Sequence, residues 1–143
     1  MLFAWQNQLE GAIPPTLASL SNLQALDLSH NHLTGIIPSG LFLLRNLTNL
    51  LVLSNDLSGP LSPKIEKAAS LMRLCLGSNR IAGSIPASVS GMKNINFLVL
   101  GSNQLAGPVP AELGNCSQLQ MLDLSNNSLT GPLPESLAAL HAL

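Results

Sequence analysis

Residues 23–38 read LQALDLSHNHLTGIIP, and this stretch contains the pattern that decides the fold. Leu26 and Leu28 are separated by one charged residue, which is the spacing of a β-strand with one buried and one outward face. Asn31 follows three positions after the strand, and its side chain can bond backbone groups of a turn. Gly35 then permits a backbone bend that other residues resist. The stretch predicts a short strand that ends in a turn held by an asparagine.

The same pattern recurs every 24 residues along the chain. Asparagine stands at positions 7, 31, 55, 79, 103 and 127, and glycine follows four places later each time. The unit is LxxLxLxxNxLxGxIPxxLxxLxx, and a fixed period of this length is typical of a solenoid. The period predicts one array over 1–143, with a partial unit 1–22 and full units 23–46, 47–70, 71–94, 95–118 and 119–142.

The repeat predicts an α/β solenoid in which each unit adds one parallel strand about 4.8 Å from the last. The asparagines should form a hydrogen-bond ladder along the stack. The later aliphatic residues should return the chain in short 3₁₀ or α turns. Both ends cut through a unit without a polar cap or a capping cysteine pair, so we expect an uncapped piece of a longer array. A genuine small protein with ragged ends is the alternative.

The composition excludes several functional classes. Charged residues make up 9% of the chain and the formal net charge is −1, which argues against nucleic-acid binding and against a polybasic membrane patch. No apolar run approaches the roughly 20 residues that cross a bilayer. No basic start followed by an apolar run appears after Met1, so we expect no signal peptide. No nucleotide-binding, kinase or metal-ligand motif is present, so we predict neither an enzyme nor a cofactor. His30 and His32 flank Asn31, but two histidines alone are weak evidence for a metal ion.

The outward positions of the strands carry several apolar residues where solvent is expected. Trp5, Leu51, Leu53 and Phe97 are examples, and exposed apolar clusters suggest a partner surface. Asp27 on the same face could bind a basic group of a ligand, or it could simply be solvated. The predicted ligand contacts are Phe3, Trp5, Asp27, Leu51, Arg73, Cys75, Phe97 and Val99.

The variant LxxNxLxGxIP resembles the plant-specific leucine-rich repeat class. This resemblance implies a right-handed superhelix with a concave parallel sheet and a second short sheet beside it. The class includes the ectodomains of plant receptor-like kinases, receptor-like proteins and polygalacturonase inhibitors. Residues 2–7, 26–31 and 74–80 are similar to the peptide-hormone receptor kinases of subfamily XI, and within that subfamily they resemble the root meristem growth factor receptors.

The subfamily resemblance implies a role for one strand in particular. Its receptors commonly carry an Arg-x-Arg pair that recognises the free C-terminus of a peptide. Arg73 matches the first arginine, whereas Cys75 stands at the second. The implied function is recognition of a secreted peptide hormone on the concave face, at the outside of the plasma membrane, with a co-receptor kinase as a possible partner. The kinase domain would lie outside this chain.

Two alternatives remain open at the level of sequence. The chain could be a defence-related protein that binds a pathogen protein, or a truncated array without independent function. Three glycosylation sequons begin at Asn46, Asn115 and Asn126. Glycosylation is predicted at Asn46 and Asn115. Asn126 is not included, because a glycan there would lie on the concave side and block binding. Cys116 is predicted to be a buried filler, and a disulfide with Cys75 looks geometrically poor.

Overall fold

A computed structural model describes residues 1–143, which form twelve short strands and six five-residue 3₁₀ helices. The strands are β1 Leu2–Phe3, β2 Glu10–Ala12, β3 Ala25–Asp27, β4 His32–Gly35, β5 Asn49–Leu51, β6 Asp56–Pro60, β7 Arg73–Cys75, β8 Arg80–Gly83, β9 Phe97–Val99, β10 Gln104–Pro108, β11 Met121–Asp123 and β12 Ser128–Thr130. The helices are η1 Pro15–Ser19, η2 Ser39–Leu43, η3 Pro63–Lys67, η4 Ala87–Gly91, η5 Ala111–Asn115 and η6 Glu135–Ala139.

The strands form two parallel sheets, which run along the length of a solenoid. The main sheet has the order β1-β3-β5-β7-β9-β11, and the second sheet has the order β12-β10-β8-β6-β4-β2. Neighbouring strands of the main sheet pair exactly one period apart, so that Leu26 lies beside Leu50 and Leu50 beside Leu74. The predicted repeat fold is confirmed, and the second sheet that the family resemblance implied is present.

The core lies between the two sheets and the 3₁₀ helices. Leu50, Leu74 and Leu98 of the main sheet are fully buried, and they belong to one continuous apolar cluster. Cys116 is a fully buried member of this cluster, as predicted. Leu9 and Leu133 in the first and last units are exposed, because each has a neighbouring unit on one side only.

The predicted asparagine ladder is present, and it joins consecutive units. In Asn79, Oδ1 accepts the Leu57 N–H at 3.0 Å, while Nδ2 donates to the carbonyl oxygens of Val52 and Leu76, both at 2.9 Å. One side chain thus satisfies backbone groups of its own unit and of the unit before it. Backbone groups buried in a turn need such partners, which explains why asparagine recurs there.

The residue before each ladder asparagine has a left-handed backbone conformation. These residues are Gln6, His30, Ser54, Ser78, Ser102 and Asn126, with φ between 50° and 57°. None is glycine, so each unit accepts some strain in order to turn from the main sheet into the second sheet.

The return segments are 3₁₀ helices of five residues, each of which begins just after a proline or, in η3, at one. The fixed φ of proline suits the start of a helix. The short path back to the next strand leaves room for only one or two turns. No helix is both long enough and apolar enough to cross a membrane.

Candidate functional site

The outward side of the main sheet, here called the main-sheet face, carries most of the predicted ligand contacts. The pairing register aligns one of them on each of five neighbouring strands, in the order Phe3, Asp27, Leu51, Cys75 and Val99. Arg73 and Phe97 form a second aligned pair, two residues earlier on their strands. The register therefore brings side chains that are far apart in sequence onto one continuous surface.

A depression of about 390 Å³ lies at the end of the main-sheet face formed by the first three units. It is lined by Trp5, Gln6, Asp27, Ser29, His30, Leu51 and Leu53. Three of the predicted contacts, Trp5, Asp27 and Leu51, thus come together in one concavity, which we call the Trp5 depression. Trp5 is 53% exposed, whereas Leu51 and Leu53 are half-buried.

Asp27 is the only carboxylate of the Trp5 depression. Its Oδ1 accepts the Ser29 backbone N–H at 3.0 Å, which fixes the orientation of the side chain. No cation pairs with it, since the two ion pairs of the chain are Lys67–Glu66 and Arg80–Asp56. Asp27 is therefore a positioned, half-buried negative charge that forms no ion pair.

Sequence reasoning missed the contribution of Gln6, Ser29 and His30 to this depression. Gln6 and His30 occupy the left-handed turn position, and both line the depression from the ends of their strands. The signal that could have found them is their place directly before the ladder asparagine in two consecutive units. His32, in contrast, begins β4 in the second sheet, so the two histidines belong to different surfaces.

Arg73 lies on the same face, beside an aromatic ring. The centre of its guanidinium is 4.9 Å from the centroid of the Phe97 ring on the neighbouring strand, within the range of a cation–π contact. Arg73 is exposed and forms no ion pair. The ring restrains a cation that stays available to an anionic group.

Cys75 is more buried than the sequence suggested. The prediction placed it on the exposed surface of the sheet, but only 8% of the residue is exposed. The reason is the register, which sets the small thiol between the larger side chains of Leu51 and Val99. Burial raises the pKa of the Cys75 thiol, Arg73 opposes this effect and Asp27 adds to it. The pKa of the Cys116 thiol is also raised by burial.

The remaining predicted contacts, Phe3 and Val99, lie next to the Trp5 depression or the Arg73–Phe97 pair. Phe3 is 59% exposed and pairs with Asp27 at the end of the main sheet, outside the lining of the depression. Val99 is half-buried and pairs with Cys75. The main-sheet face thus combines two features. One is the Trp5 depression, which is acidic and partly apolar, and the other is Arg73 with its guanidinium over the ring of Phe97.

The sequon asparagines differ in their surroundings. Asn46 and Asn115 are exposed at the return side of the coil, near the 3₁₀ helices. Asn126 occupies the left-handed turn at the end of the main sheet, where its Nδ2 donates to the Ser102 hydroxyl at 3.3 Å. Both cysteines are free, so no disulfide links the repeat units.

Comparison with known proteins identifies similar sequences and structures. Two leucine-rich repeat family profiles match the chain, one over residues 4–57 and the other over residues 118–140. A search of curated proteins gives no match.

Solved plant receptor structures superpose on almost the whole chain. It is 43% identical to the plant peptide hormone receptor RGFR1 in complex with RGF2, with a TM-score of 0.94 over 100% of this chain and 27% of that one. It is 35% identical to the Arabidopsis receptor kinase HAESA in complex with the peptide hormone IDA and the co-receptor SERK1, with a TM-score of 0.96 over 99% and 24%. It is 36% identical to a chain of the BIR3–SERK2 complex from Arabidopsis thaliana, with a TM-score of 0.82 over 93% and 71%. The chain thus spans about a quarter of the length of the first two receptors.

Proposed function

The chain belongs to the plant-type leucine-rich repeat proteins, and we propose that it is a ligand-binding part of a receptor-like kinase ectodomain that recognises a secreted peptide. In this proposal an extended peptide lies on the main-sheet face, outside the plasma membrane. A co-receptor kinase then joins the complex through contacts elsewhere. The similar receptor kinase HAESA has been solved in complex with the peptide hormone IDA and the co-receptor SERK1. The chain itself has no catalytic role.

One observation carries the proposal. Arg73 presents an unpaired guanidinium over Phe97 on the face where the receptor subfamily holds its peptide-reading arginine. A guanidinium binds a carboxylate by charge-assisted hydrogen bonds, so the free C-terminus of a peptide is the natural ligand group. The exposed aromatic side chains of Phe3 and Trp5 supply apolar contact area on the same face, of the kind that dominates binding energy at interfaces.

The second arginine of the subfamily motif is replaced by the buried Cys75. We therefore propose that Arg73 alone binds the carboxylate, more weakly than two converging guanidinium groups would. The substitution Cys75→Arg, which restores the pair, should tighten the binding of a peptide with a free C-terminus.

The test is calorimetric titration of the chain with synthetic secreted plant peptides, among them RGF2 and IDA, each with a free and with an amidated C-terminus. We expect amidation and Arg73→Ala each to weaken binding by about tenfold or more, because each removes a charge-assisted hydrogen bond. Arg80→Ala is the matched control, since Arg80 lies on the second sheet in an ion pair with Asp56.

The opposite results are equally informative. Equal affinity for the free and amidated peptides, unchanged by Arg73→Ala, would contradict carboxylate recognition by Arg73. Failure of both the native chain and Cys75→Arg to bind any of the peptides would contradict the peptide-receptor proposal and favour a defence protein that binds a pathogen protein.

A further inference from the structure

We infer that the Trp5 depression is a subsite for a lysine or arginine side chain of the bound peptide, an inference that rests on peptide binding at the main-sheet face. The depression offers the three surfaces that such a side chain requires. Asp27 provides a carboxylate for the cationic end, Trp5 an indole face, and Leu51 and Leu53 aliphatic walls for the methylene stem.

The charge of the depression selects the sign of the ligand group. Asp27 is its only carboxylate, and only Oδ1 is occupied, by the Ser29 N–H. The other carboxylate oxygen accepts no hydrogen bond and takes part in no ion pair. A half-buried carboxylate of this kind is stabilised by a cation that brings its own hydrogen-bond donors.

A second aspartate, Asp123, stands in the same position of another unit and provides a comparison for Asp27. Asp123 accepts both the Ser125 N–H at 3.0 Å and the Ser125 hydroxyl at 2.7 Å. Both of these bonds fall on Oδ1, so Oδ2 of Asp123 is as free of hydrogen bonds as Oδ2 of Asp27. The corresponding Ser29 hydroxyl instead accepts the Leu53 N–H at 3.2 Å, so Asp27 carries one hydrogen bond fewer than Asp123.

The surroundings of the two aspartates differ as well. The Asp123 carboxylate lies directly over Gly101, whose added Cβ would be 2.7 Å from both oxygens, and no depression forms there. Asp27, in contrast, lines a depression together with Trp5 and Leu51. The two carboxylates share a register position and a following serine, but only Asp27 is set in a concavity that fits a side chain.

The position of the subsite relative to Arg73 fixes the spacing in the ligand. Asp27 and Arg73 are two strands apart and differ by two positions along the strand, which places them about 12 Å apart for ideal sheet spacings. An extended peptide advances about 3.3 Å per residue. The basic residue should therefore lie three or four positions before the carboxylate that Arg73 binds.

The experiment is selection by the immobilised chain from a library of nine-residue peptides with free C-termini and randomised sequence. The native chain should enrich lysine and arginine about tenfold at the third or fourth position before the C-terminus. Asp27→Asn, which keeps the hydrogen bond from Ser29, should abolish that enrichment. The matched control Asp123→Asn should retain it.

A second readout comes from the chain itself. Trp5 is the single tryptophan, and the chain has no tyrosine, so its intrinsic fluorescence reports the depression directly. The best enriched peptide should change the Trp5 emission, and replacement of its basic residue by uncharged norleucine should abolish the change and weaken binding about tenfold.

Several outcomes would overturn the inference. They are the absence of any enriched basic residue, equal enrichment by the Asp27→Asn and native chains, and an unchanged Trp5 emission on binding. The proposed function is judged separately by the amidated peptides: if amidation weakens binding while the basic residue is irrelevant, carboxylate recognition stands and the cation subsite falls.

Discussion

At the scale of single residues, the ladder asparagine does more than any other side chain to define a unit. Asn79 accepts the Leu57 N–H and donates to the carbonyl groups of Val52 and Leu76, and these partners belong to two consecutive units. A hydrophobic residue of the same size could fill the space but could not make these bonds. The periodic asparagine is therefore explained by the backbone groups of the turn.

We predict that Asn79→Ala lowers the free energy of unfolding by about 2–3 kcal/mol, because it leaves part-buried backbone groups without partners. The measurement is urea unfolding followed by circular dichroism. Asn7→Ala is the control, since Asn7 is exposed and bonds only Ala4 and Trp5 of its own unit. An equal loss in both variants would contradict a role of the ladder in joining units.

The thiol of Cys75 provides a test of the electrostatics of the main-sheet face. Its pKa is raised by burial and by Asp27, so at neutral pH the unreactive protonated form dominates. We predict that Asp27→Asn lowers the pKa and shifts the pH profile of alkylation by iodoacetamide towards lower pH. Peptide mapping by mass spectrometry separates Cys75 from Cys116, which serves as the internal control. A profile of Cys75 that does not move would contradict the coupling to Asp27.

The same linkage gives the direction of the effect of pH on stability. A group whose pKa is raised in the folded state contributes its stability below the unfolded pKa and loses it as the pH rises through the folded value. The two buried thiols therefore disfavour the folded state under alkaline conditions, when thiolate burial becomes costly.

At the scale of elements, the left-handed turn is the junction between the two sheets. It begins with a residue whose φ is near 55° in every unit, although no glycine occurs there. Because the turn lies at the end of a main-sheet strand, its side chains stand beside the outward face. This geometry is what adds Gln6 and His30 to the Trp5 depression.

We predict that Ser78→Val lowers the free energy of unfolding by about 1–3 kcal/mol, because a β-branched residue strongly disfavours a positive φ. Ser78→Gly should leave stability unchanged or raise it. Ser84→Val is the control at an exposed position outside the left-handed turn. Thermal unfolding measures all three variants, and a loss for Ser84→Val equal to that for Ser78→Val would contradict the explanation by turn strain.

At the scale of the whole molecule, each unit is stabilised by its two neighbours. Inter-unit hydrogen bonds and the apolar core repeat along the stack, and the first and last units each lack one neighbour. Stability should therefore fall from the centre towards both ends.

Amide hydrogen exchange measures this gradient. We predict that the amides of β5, β7 and β9 exchange most slowly and that those of β1 and β11 exchange most rapidly among the main-sheet strands. Uniform exchange along the sheet would indicate a single cooperative unit and would contradict stabilisation by nearest neighbours.

The positions of the sequons also matter at this scale. We predict that the chain, produced in a secretory plant host, carries glycans at Asn46 and Asn115, which are exposed on the return side of the coil. Asn126 should be unmodified, because it lies in the left-handed turn at the end of the main sheet, where a glycan would block the proposed peptide-binding face. Mass spectrometry of glycopeptides decides this, and a glycan on Asn126 would contradict the expected placement.

The sequence by itself determined the repeat, its 24-residue register and the asparagine ladder, because each of these depends on contacts between equivalent positions. It also placed Arg73 and Trp5 on the outward face, since strand alternation fixes the side to which a residue points. Only the tertiary structure decided how outward residues are grouped and how deeply each is covered. The burial of Cys75 depends on the size of its neighbours on adjacent strands, and the Trp5 depression depends on which side chains from three units and two turn positions meet. The pattern within one unit specifies the backbone, whereas the surface arises from differences between units.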